Sequence, residues 1–261
     1  MIEILRVIYS SSLLQMRQSF ARATFRFVIV IQPIIFAFMT YMMYRGSGRE
    51  NYLAYVVLGT GILSLWSAIT FSSAGDIERE RFMGTLEIIT ATPSNFQLII
   101  FGKVIGNTIL GLMSMVITFV FVAIAYQVQL TIEHPVIFIS SLLVSLLSFM
   151  GISMLMATFF TLSRNARALM NVLEYPVFIL CGVLFPIDIL PLWTRPLSYI
   201  LSPTWAVKIL RESVLGIENN NLFMINVLIL LAITGIYFII ASISFRKIDK
   251  QTRIKATLGV H

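Results

Sequence analysis

The stretch Asp76-Ile-Glu-Arg-Glu-Arg-Phe-Met-Gly-Thr-Leu-Glu-Ile-Ile-Thr-Ala-Thr-Pro93 holds the densest run of charge in the sequence. Four acidic residues and two arginines fall between Asp76 and Glu87. The runs on either side, Tyr52–Ala74 and Val104–Tyr126, contain no charged residue. Such runs are long and apolar enough to cross a lipid bilayer, whereas the charged stretch cannot follow them into lipid. We therefore expect two membrane spans joined by a segment that faces water or a soluble partner.

The composition is that of a membrane protein. Hydrophobic residues make up 58% of the chain, charged residues 12%, and the mean hydropathy is +0.90, whereas soluble domains carry about 25% charged residues. Because a spanning helix takes about 20 mostly apolar residues, the chain has room for about six. We therefore predict an all-α integral membrane protein. The net charge of +7 fits basic residues that mark the cytoplasmic side, and no nucleic-acid partner is expected.

Apolar runs, charges and prolines divide the sequence into the elements of a single transmembrane domain over residues 1–261. Within residues 1–26, apolar positions recur at helical spacing among arginines, which favours an amphipathic helix on the membrane surface over a soluble tail. Four of the eight prolines fall between Phe185 and Pro203. Residues 186–216 are therefore predicted to form short helices that dip into the outer leaflet. The six predicted spans cover residues 27–44, 52–74, 104–126, 136–160, 168–185 and 222–245.

Local signals predict how the helices bend, begin and pack. The proline of Gln32-Pro33 removes a helical donor and predicts a kink in the first span. Thr92-Pro93 is expected to end the charged segment, and Ser94–Gln97 to open the next helix as a capping box. Gly102 and Gly106 have the spacing that permits close contact with another helix.

Ser141, Ser145 and Ser148 fall on one face of the fourth predicted span. Small residues on one helix face favour close packing, and a polar groove for substrate is the alternative. The two histidines, His134 and His261, are far apart in sequence and predict no metal site.

Polar residues inside the predicted spans are candidates for the substrate pathway. They are Gln32, Asn171 and Glu174, and Glu174 is the one acidic residue placed within a span. The alternative for Glu174 is an ion pair at the membrane interface with Arg164 or Arg167, because the basic turn that ends at Arg167 lies within two helical turns of it.

The positions of lysine and arginine predict the orientation of the chain. With both termini in the cytoplasm, 14 of the 19 basic residues lie on the inner side and 5 on the outer side. Cytoplasmic loops of membrane proteins carry such an excess. The charged stretch is therefore predicted to be cytoplasmic.

Within this stretch, Phe82, Leu86 and Ile89 lie at spacings of four and three, which places them on one face of a helix. We predict a short helix over residues 76–93, with its apolar face on the neighbouring spans and its acidic residues toward a partner. A solvated loop with an ordinary amphipathic helix is the alternative. A packed helix in this position can pass a rigid shift from a soluble partner to both spans it joins.

Two segments resemble the permeases of ABC-2-type exporters. The first is Glu78–Glu87, followed by Ala91-Thr-Pro93 and Gly102-Lys103, and it is similar to the first cytoplasmic loop of that family. The second is Phe178–Arg211, with Gly182-Val-Leu-Phe-Pro186 and Ser202-Pro-Thr-Trp-Ala206, which is similar to the segment between the fifth and sixth spans. The chain departs from the family pattern at Phe82-Met83, and at Ser202-Pro203, where Asn-Pro is commoner.

The resemblance implies a multi-pass permease in the plasma (inner) membrane of a prokaryote. It implies a dimer with a second permease copy, identical or different, and one ABC ATPase subunit bound to each copy through a coupling helix. Glu78 and Glu80 are expected to meet the ATPase, while Glu87 braces the helix. The residues carried over as the ATPase contact and its support are Glu78, Arg79, Glu80, Arg81, Gly84, Thr85, Leu86 and Glu87.

The chain has no Gly-x-x-x-x-Gly-Lys-Ser/Thr motif, so hydrolysis is assigned to the partner. ATP and Mg are expected on that subunit, and no cofactor or catalytic residue is expected here. The implied function is export of lipophilic or amphiphilic compounds, drug-like or lipid-like. The alternatives are export of a lipid-linked polysaccharide or cell-wall polymer, and a passive membrane anchor for a cytoplasmic complex. An intramembrane enzyme is disfavoured because no nucleophile motif is present.

Overall fold

The computed structural model describes residues 2–44, 52–92, 94–127, 133–162, 179–183 and 187–255. The regular elements in these ranges are helices. A π-helical turn, Phe27–Ile31, joins α2 to α3, and a short 3-10 turn spans Ile187–Ile189. The α-helices are α1 Ile2–Ala21, α2 Ala23–Arg26, α3 Gln32–Tyr44, α4 Tyr52–Phe82, α5 Thr85–Ala91, α6 Phe96–Tyr126, α7 Pro135–Leu162, α8 Arg195–Ile200, α9 Ser202–Leu215 and α10 Asn220–Lys255.

In the described part of the chain, five helical segments are long and apolar enough to cross a membrane. They correspond to the first four predicted spans and the sixth. Most of the fifth predicted span, 168–185, lies outside the described residues, so six spans stay a prediction. The prediction of a helical multi-pass membrane protein is confirmed. The five segments are Ala23–Met43, Val56–Phe82, Phe96–Tyr126, Pro135–Thr161 and Asn220–Ile248.

Helix α4 lies at the centre of the bundle, where it packs against α3, α6, α7 and α9. Its middle carries large apolar side chains that are at most 2% exposed, among them Leu58, Ile62 and Trp66. The Trp66 ring meets Phe149 of α7 edge to face, with ring centroids 5.5 Å apart. Because α4 is buried from Val56 to Thr70, a shift of its end must be shared by the helices around it.

The predicted irregularity at Gln32-Pro33 is present as the π-helical turn before Gln32. Pro33 has no backbone N–H, so the Ile29 carbonyl four residues earlier loses its helical donor. The Ser114 hydroxyl of α6 donates to that carbonyl at 3.1 Å. A neighbouring helix thus satisfies the group that proline leaves unpaired, as the interior of a membrane requires.

The charged stretch is not one helix, which corrects the prediction for residues 76–93. Helix α4 continues through the charges to Phe82, and a turn at Met83-Gly84 separates it from α5. Phe82 is 93% exposed while Leu86 is 1% exposed, so the two do not share a face. The cause is Gly84, whose φ of +68° redirects the chain between them.

The other local predictions hold with one shift. Helix α5 ends at Ala91, as Thr92-Pro93 predicted. The cap of α6 is Asn95 rather than Ser94, because the Asn95 side chain accepts from the Gln97 amide at 3.0 Å. The serines of α7, Ser141, Ser145 and Ser148, are at most 2% exposed, which favours the packing interpretation. Short helices α8 and α9 occupy the proline-rich segment, and α9 ends before Gly216.

Candidate functional site

The candidate site is the junction between α4 and α5, which contains the predicted coupling residues. The Gly84 amide donates to the Arg81 carbonyl at 3.1 Å, and the Thr85 hydroxyl donates to the Glu80 carbonyl at 3.2 Å. These bonds satisfy carbonyls at the end of α4 that have no helical partner. Leu86, at the start of α5, is buried in the main core. Gly84, Thr85 and Leu86 therefore form and anchor the turn.

Substituting Gly84 by alanine is expected to lower the free energy of unfolding by about 1–2 kcal/mol, because φ of +68° disfavours any residue with a Cβ. A Cβ at Gly84 would meet no atom within 4 Å, so the cost is conformational. Gly75→Ala is the matched control. A Cβ at Gly75 would also meet no atom within 4 Å, but Gly75 lies within helix α4, where alanine is not strained. Thermal unfolding in detergent should show a Tm below that of the wild type for G84A, whereas the Tm of G75A should not fall. Equal Tm values would contradict the strained turn.

Arg81 ties the end of α4 to the end of α7. Its guanidinium donates to the carbonyls of Phe160 at 3.2 Å and Thr161 at 2.5 Å. A positive charge at the carboxyl end of a helix is favourable because the last carbonyls carry partial negative charge. Arg81 therefore stabilises the junction from within the protein.

Glu80 forms an ion pair with Lys103 of α6, and the two side chains are 12% and 9% exposed. The carboxylate therefore lies inside the permease and links α4 to α6. Its neighbours differ, since Glu78 is half-buried and Arg79 is exposed. Among the residues predicted to meet an ATPase or to support that contact, Glu80 thus supports the junction from within the protein. Arg79 lies on the solvent-exposed surface of the junction.

One turn before Glu80, Asp76 lies in a buried polar cluster that joins three helices. Its carboxylate accepts from the Arg22 guanidinium at 2.6 Å and from the Asn107 amide at 3.3 Å. The Gln15 amide donates to Asp76 and also to the Asn107 side-chain oxygen at 3.0 Å. Gln15 and Asn107 are at most 1% exposed. Hydrogen bonds to a buried charge are the strong ones, so this cluster fixes α1 and α6 to α4.

Close approach of α1 to α6 makes this cluster possible. A Cβ on Gly102 would lie 2.7 Å from the Ile8 carbonyl oxygen, and one on Gly106 would lie 2.7 Å from that of Ser12. Real Cβ atoms do not come so near to backbone, so the two helices need glycine here. The close contact predicted for Gly102 and Gly106 is confirmed, with α1 as the partner helix.

The sequence did not predict a role for Gln15, Asp76 or Asn107, although the spacing of polar residues on their helices indicates a shared contact. Each helix contributes polar residues four apart, which share a face. The pairs are Gln15 and Ser19 on α1, Asp76 and Glu80 on α4, and Lys103 and Asn107 on α6. Three matching polar pairs with the same spacing could have indicated a common contact.

Three large apolar side chains are exposed at the junction, beside exposed Arg79. Phe82, Met83 and Ile88 are 93%, 57% and 67% exposed. Beside them, α1, α4, α5 and α6 enclose a groove of about 330 Å³, whose lining is mostly polar and charged. Apolar side chains that project beside charged residues at a helix end are typical of a protein contact.

Among the remaining predicted residues, Gln32 is described, and it lies away from this junction. Gln32 donates to the Ser67 hydroxyl at 3.4 Å, which links α3 to α4 within the bundle. The predictions for Asn171 and Glu174, and for the side chain of Glu87, lie outside the described residues.

Comparison with known proteins agrees with this architecture. The chain is 30% identical over 164 residues to the probable multidrug ABC transporter permease YbhS of Escherichia coli strain K12, and equally to that of strain O157:H7. The match covers 60% of this chain, which spans only 41% of the length of these curated relatives. The profile of the ABC-2 type transporter family matches residues 6–215. This protein therefore belongs to the ABC-2 type transporter family of membrane permeases.

Proposed function

We propose that this chain is the membrane-spanning subunit of an ATP-driven exporter of lipophilic or amphiphilic compounds. A separate ABC ATPase subunit binds at the α4–α5 junction on the cytoplasmic side and supplies the energy. The active unit contains two permease copies, each with its own ATPase contact.

The observation that carries this proposal is the construction of α4. It is a single 31-residue helix that runs from the centre of the bundle to the exposed junction. Polar contacts join its charged end to α1, α6 and α7 through Asp76, Glu80 and Arg81. A displacement imposed at the junction is therefore shared by the core helices instead of being absorbed by a loose loop.

The cargo class rests on two observations. The five described spans are strongly apolar, whereas small ions normally need charged residues at membrane depth. The Escherichia coli relatives are named as probable multidrug permeases, which supports drug-like amphiphiles over a lipid-linked polymer. ATP-dependent dye efflux from proteoliposomes that contain this chain and a candidate ABC ATPase tests the proposal. Dye retained in the presence of ATP, with the two subunits bound, would favour the passive anchor.

A double substitution of the exposed junction, Phe82→Ser with Ile88→Ser, is expected to weaken ATPase binding at least about tenfold. Both side chains are more than half exposed, so the fold should be unaffected. Leu192→Ser is the matched control, because Leu192 is 76% exposed but lies before α8, on the predicted outer side. Affinity is measured by titrating the labelled ATPase into purified permease. Unchanged affinity in the double variant would contradict an ATPase contact at this surface.

A further inference from the structure

A second groove, of about 550 Å³, lies between α9, the beginning of α10 and the segment around Cys181 and Gly182. Its lining combines apolar and aromatic side chains with two positive and two negative charges. The apolar residues include Tyr199, Trp205, Leu215 and Leu222, and the charged residues are Lys208, Arg211, Glu212 and Glu218. None of these residues has a role at the α4–α5 junction.

A buried amide links two of these charged groups, Lys208 and Glu212. The Lys208 ammonium donates to the Asn226 side-chain oxygen at 3.3 Å, and the Asn226 side-chain nitrogen donates to Glu212 at 3.3 Å. Asn226 is 4% exposed, so its orientation is fixed within the protein. An ammonium has three donors and a carboxylate has two oxygens, so both charged groups can also bind a ligand.

Arg211 and Trp205 shape the walls between these charges. The Arg211 guanidinium donates to the carbonyls of Gly182 and Val183, each at 2.7 Å, and so holds that segment against α9. The Trp205 indole donates to the Tyr199 carbonyl at 2.9 Å. This bond fixes the Trp205 ring. The Lys208 ammonium lies over that ring, 5.8 Å from the ring centroid. The cation therefore lies over an aromatic wall at the edge of the groove.

Glu212 is half-buried, and burial raises the pKa of its carboxyl group. Lys208 and Asn226 act in the opposite direction, while Glu218 adds to the increase. A positive group placed between Glu212 and Glu218 would stabilise both carboxylates. A ligand with a second, negative group could at the same time reach Lys208.

We propose that this groove binds the head group of a phosphatidylethanolamine-type lipid of the outer leaflet. Its phosphate pairs with Lys208 and its primary ammonium with Glu212 and Glu218, while the acyl chains follow the exposed side chains of Leu215 and Leu222. Equal numbers of opposite charges favour a zwitterion, because an anionic head group would face two carboxylates. The outer-leaflet location rests on the orientation in the proposed function, whereas the head-group chemistry does not.

Lipid retention tests the binding. The full chain is purified from vesicles of equimolar phosphatidylethanolamine, phosphatidylcholine and phosphatidylglycerol, and bound lipid is counted by native mass spectrometry. More phosphatidylethanolamine than phosphatidylcholine should be retained, because the quaternary ammonium of phosphatidylcholine cannot donate hydrogen bonds. Lys208→Gln and Glu212→Gln are each expected to lower its retention about fivefold. The exposed matched controls, Lys247→Gln and Glu3→Gln, should retain it as the wild type does.

Equal retention of phosphatidylglycerol, or no change in K208Q and E212Q, would overturn the head-group assignment. Thermal unfolding of each variant separates lost binding from a lost fold. A cysteine introduced at exposed Asn219 tests the location independently, and the wild type, whose Cys181 is buried, gives the background labelling. An impermeant maleimide should label the introduced cysteine from outside intact cells. Labelling only after permeabilisation would overturn the outer-leaflet location and the proposed orientation, whatever the lipid result.

Discussion

Replacing Asp76 by asparagine is expected to lower the free energy of unfolding by about 3 kcal/mol. Asparagine has nearly the same shape, so no cavity forms, and the loss comes from the charge. In the native cluster the carboxylate accepts from Arg22, Asn107 and Gln15. The variant leaves the Arg22 guanidinium, 24% exposed, without its counter-charge and places amide donors against one another.

A double-mutant cycle separates this loss from a general effect of removing a charge. Arg22→Gln alone should cost less than D76N, because Arg22 is partly hydrated. The double variant should be more stable than the sum of the two losses predicts, since both break one contact. Glu3→Gln, an exposed acid in the first turn of α1, is the control and should leave the Tm unchanged. Additive losses in the cycle would contradict a direct Arg22–Asp76 pair.

The same variant bears on energy transfer. If the Asp76 cluster connects α1 and α6 to α4, D76N should bind the ATPase with wild-type affinity, because the exposed junction residues are untouched. Dye efflux should nevertheless fall severalfold for the same ATP turnover. Efflux that falls only in proportion to the amount of folded protein would assign the cluster to stability alone.

The sequence predicted those parts of the fold that depend on local chemistry. Charge-free runs predicted the five described spans, and Pro33 predicted the irregular turn because a missing N–H acts wherever it lies. The predicted end of the second span, at Ala74, comes earlier than the end of α4 at Phe82. Charges end a membrane span but not a helix, because glutamate and arginine are good helix formers. The helix therefore continues until Gly84, where a positive φ interrupts it.

The site was less predictable because its residues meet through the fold. Asp76 lies 61 positions from Gln15 and 31 from Asn107, so only packing of three helices brings them together. The charges predict a surface that faces a partner, because a sequence shows charge and not pairing. Glu80 and Arg81 instead contact Lys103 and carbonyls of α7. The exposed surface of the junction is consequently more apolar, through Phe82 and Ile88, than the sequence suggested.

The double substitution Gly102→Ala with Gly106→Ala is expected to lower the free energy of unfolding by about 4 kcal/mol. Each new Cβ would lie 2.7 Å from a backbone oxygen of α1, and backbone cannot move aside as a flexible side chain can. Helix α1 must therefore shift away from α6, which also separates Gln15 from its partners on α4 and α6.

The sign of this effect makes it decisive, because helix propensity alone predicts the opposite. An alanine in place of a helical glycine normally stabilises a helix by about 1 kcal/mol. Gly235→Ala on α10 is the matched control, since its Cβ would meet nothing within 4 Å, and its Tm should rise or stay level. Unfolding of G102A/G106A at a Tm equal to or above that of the wild type would refute the close α1–α6 contact. Adding D76N to the double variant should cost less than D76N alone, because displacement of α1 has already opened the cluster that Asp76 completes.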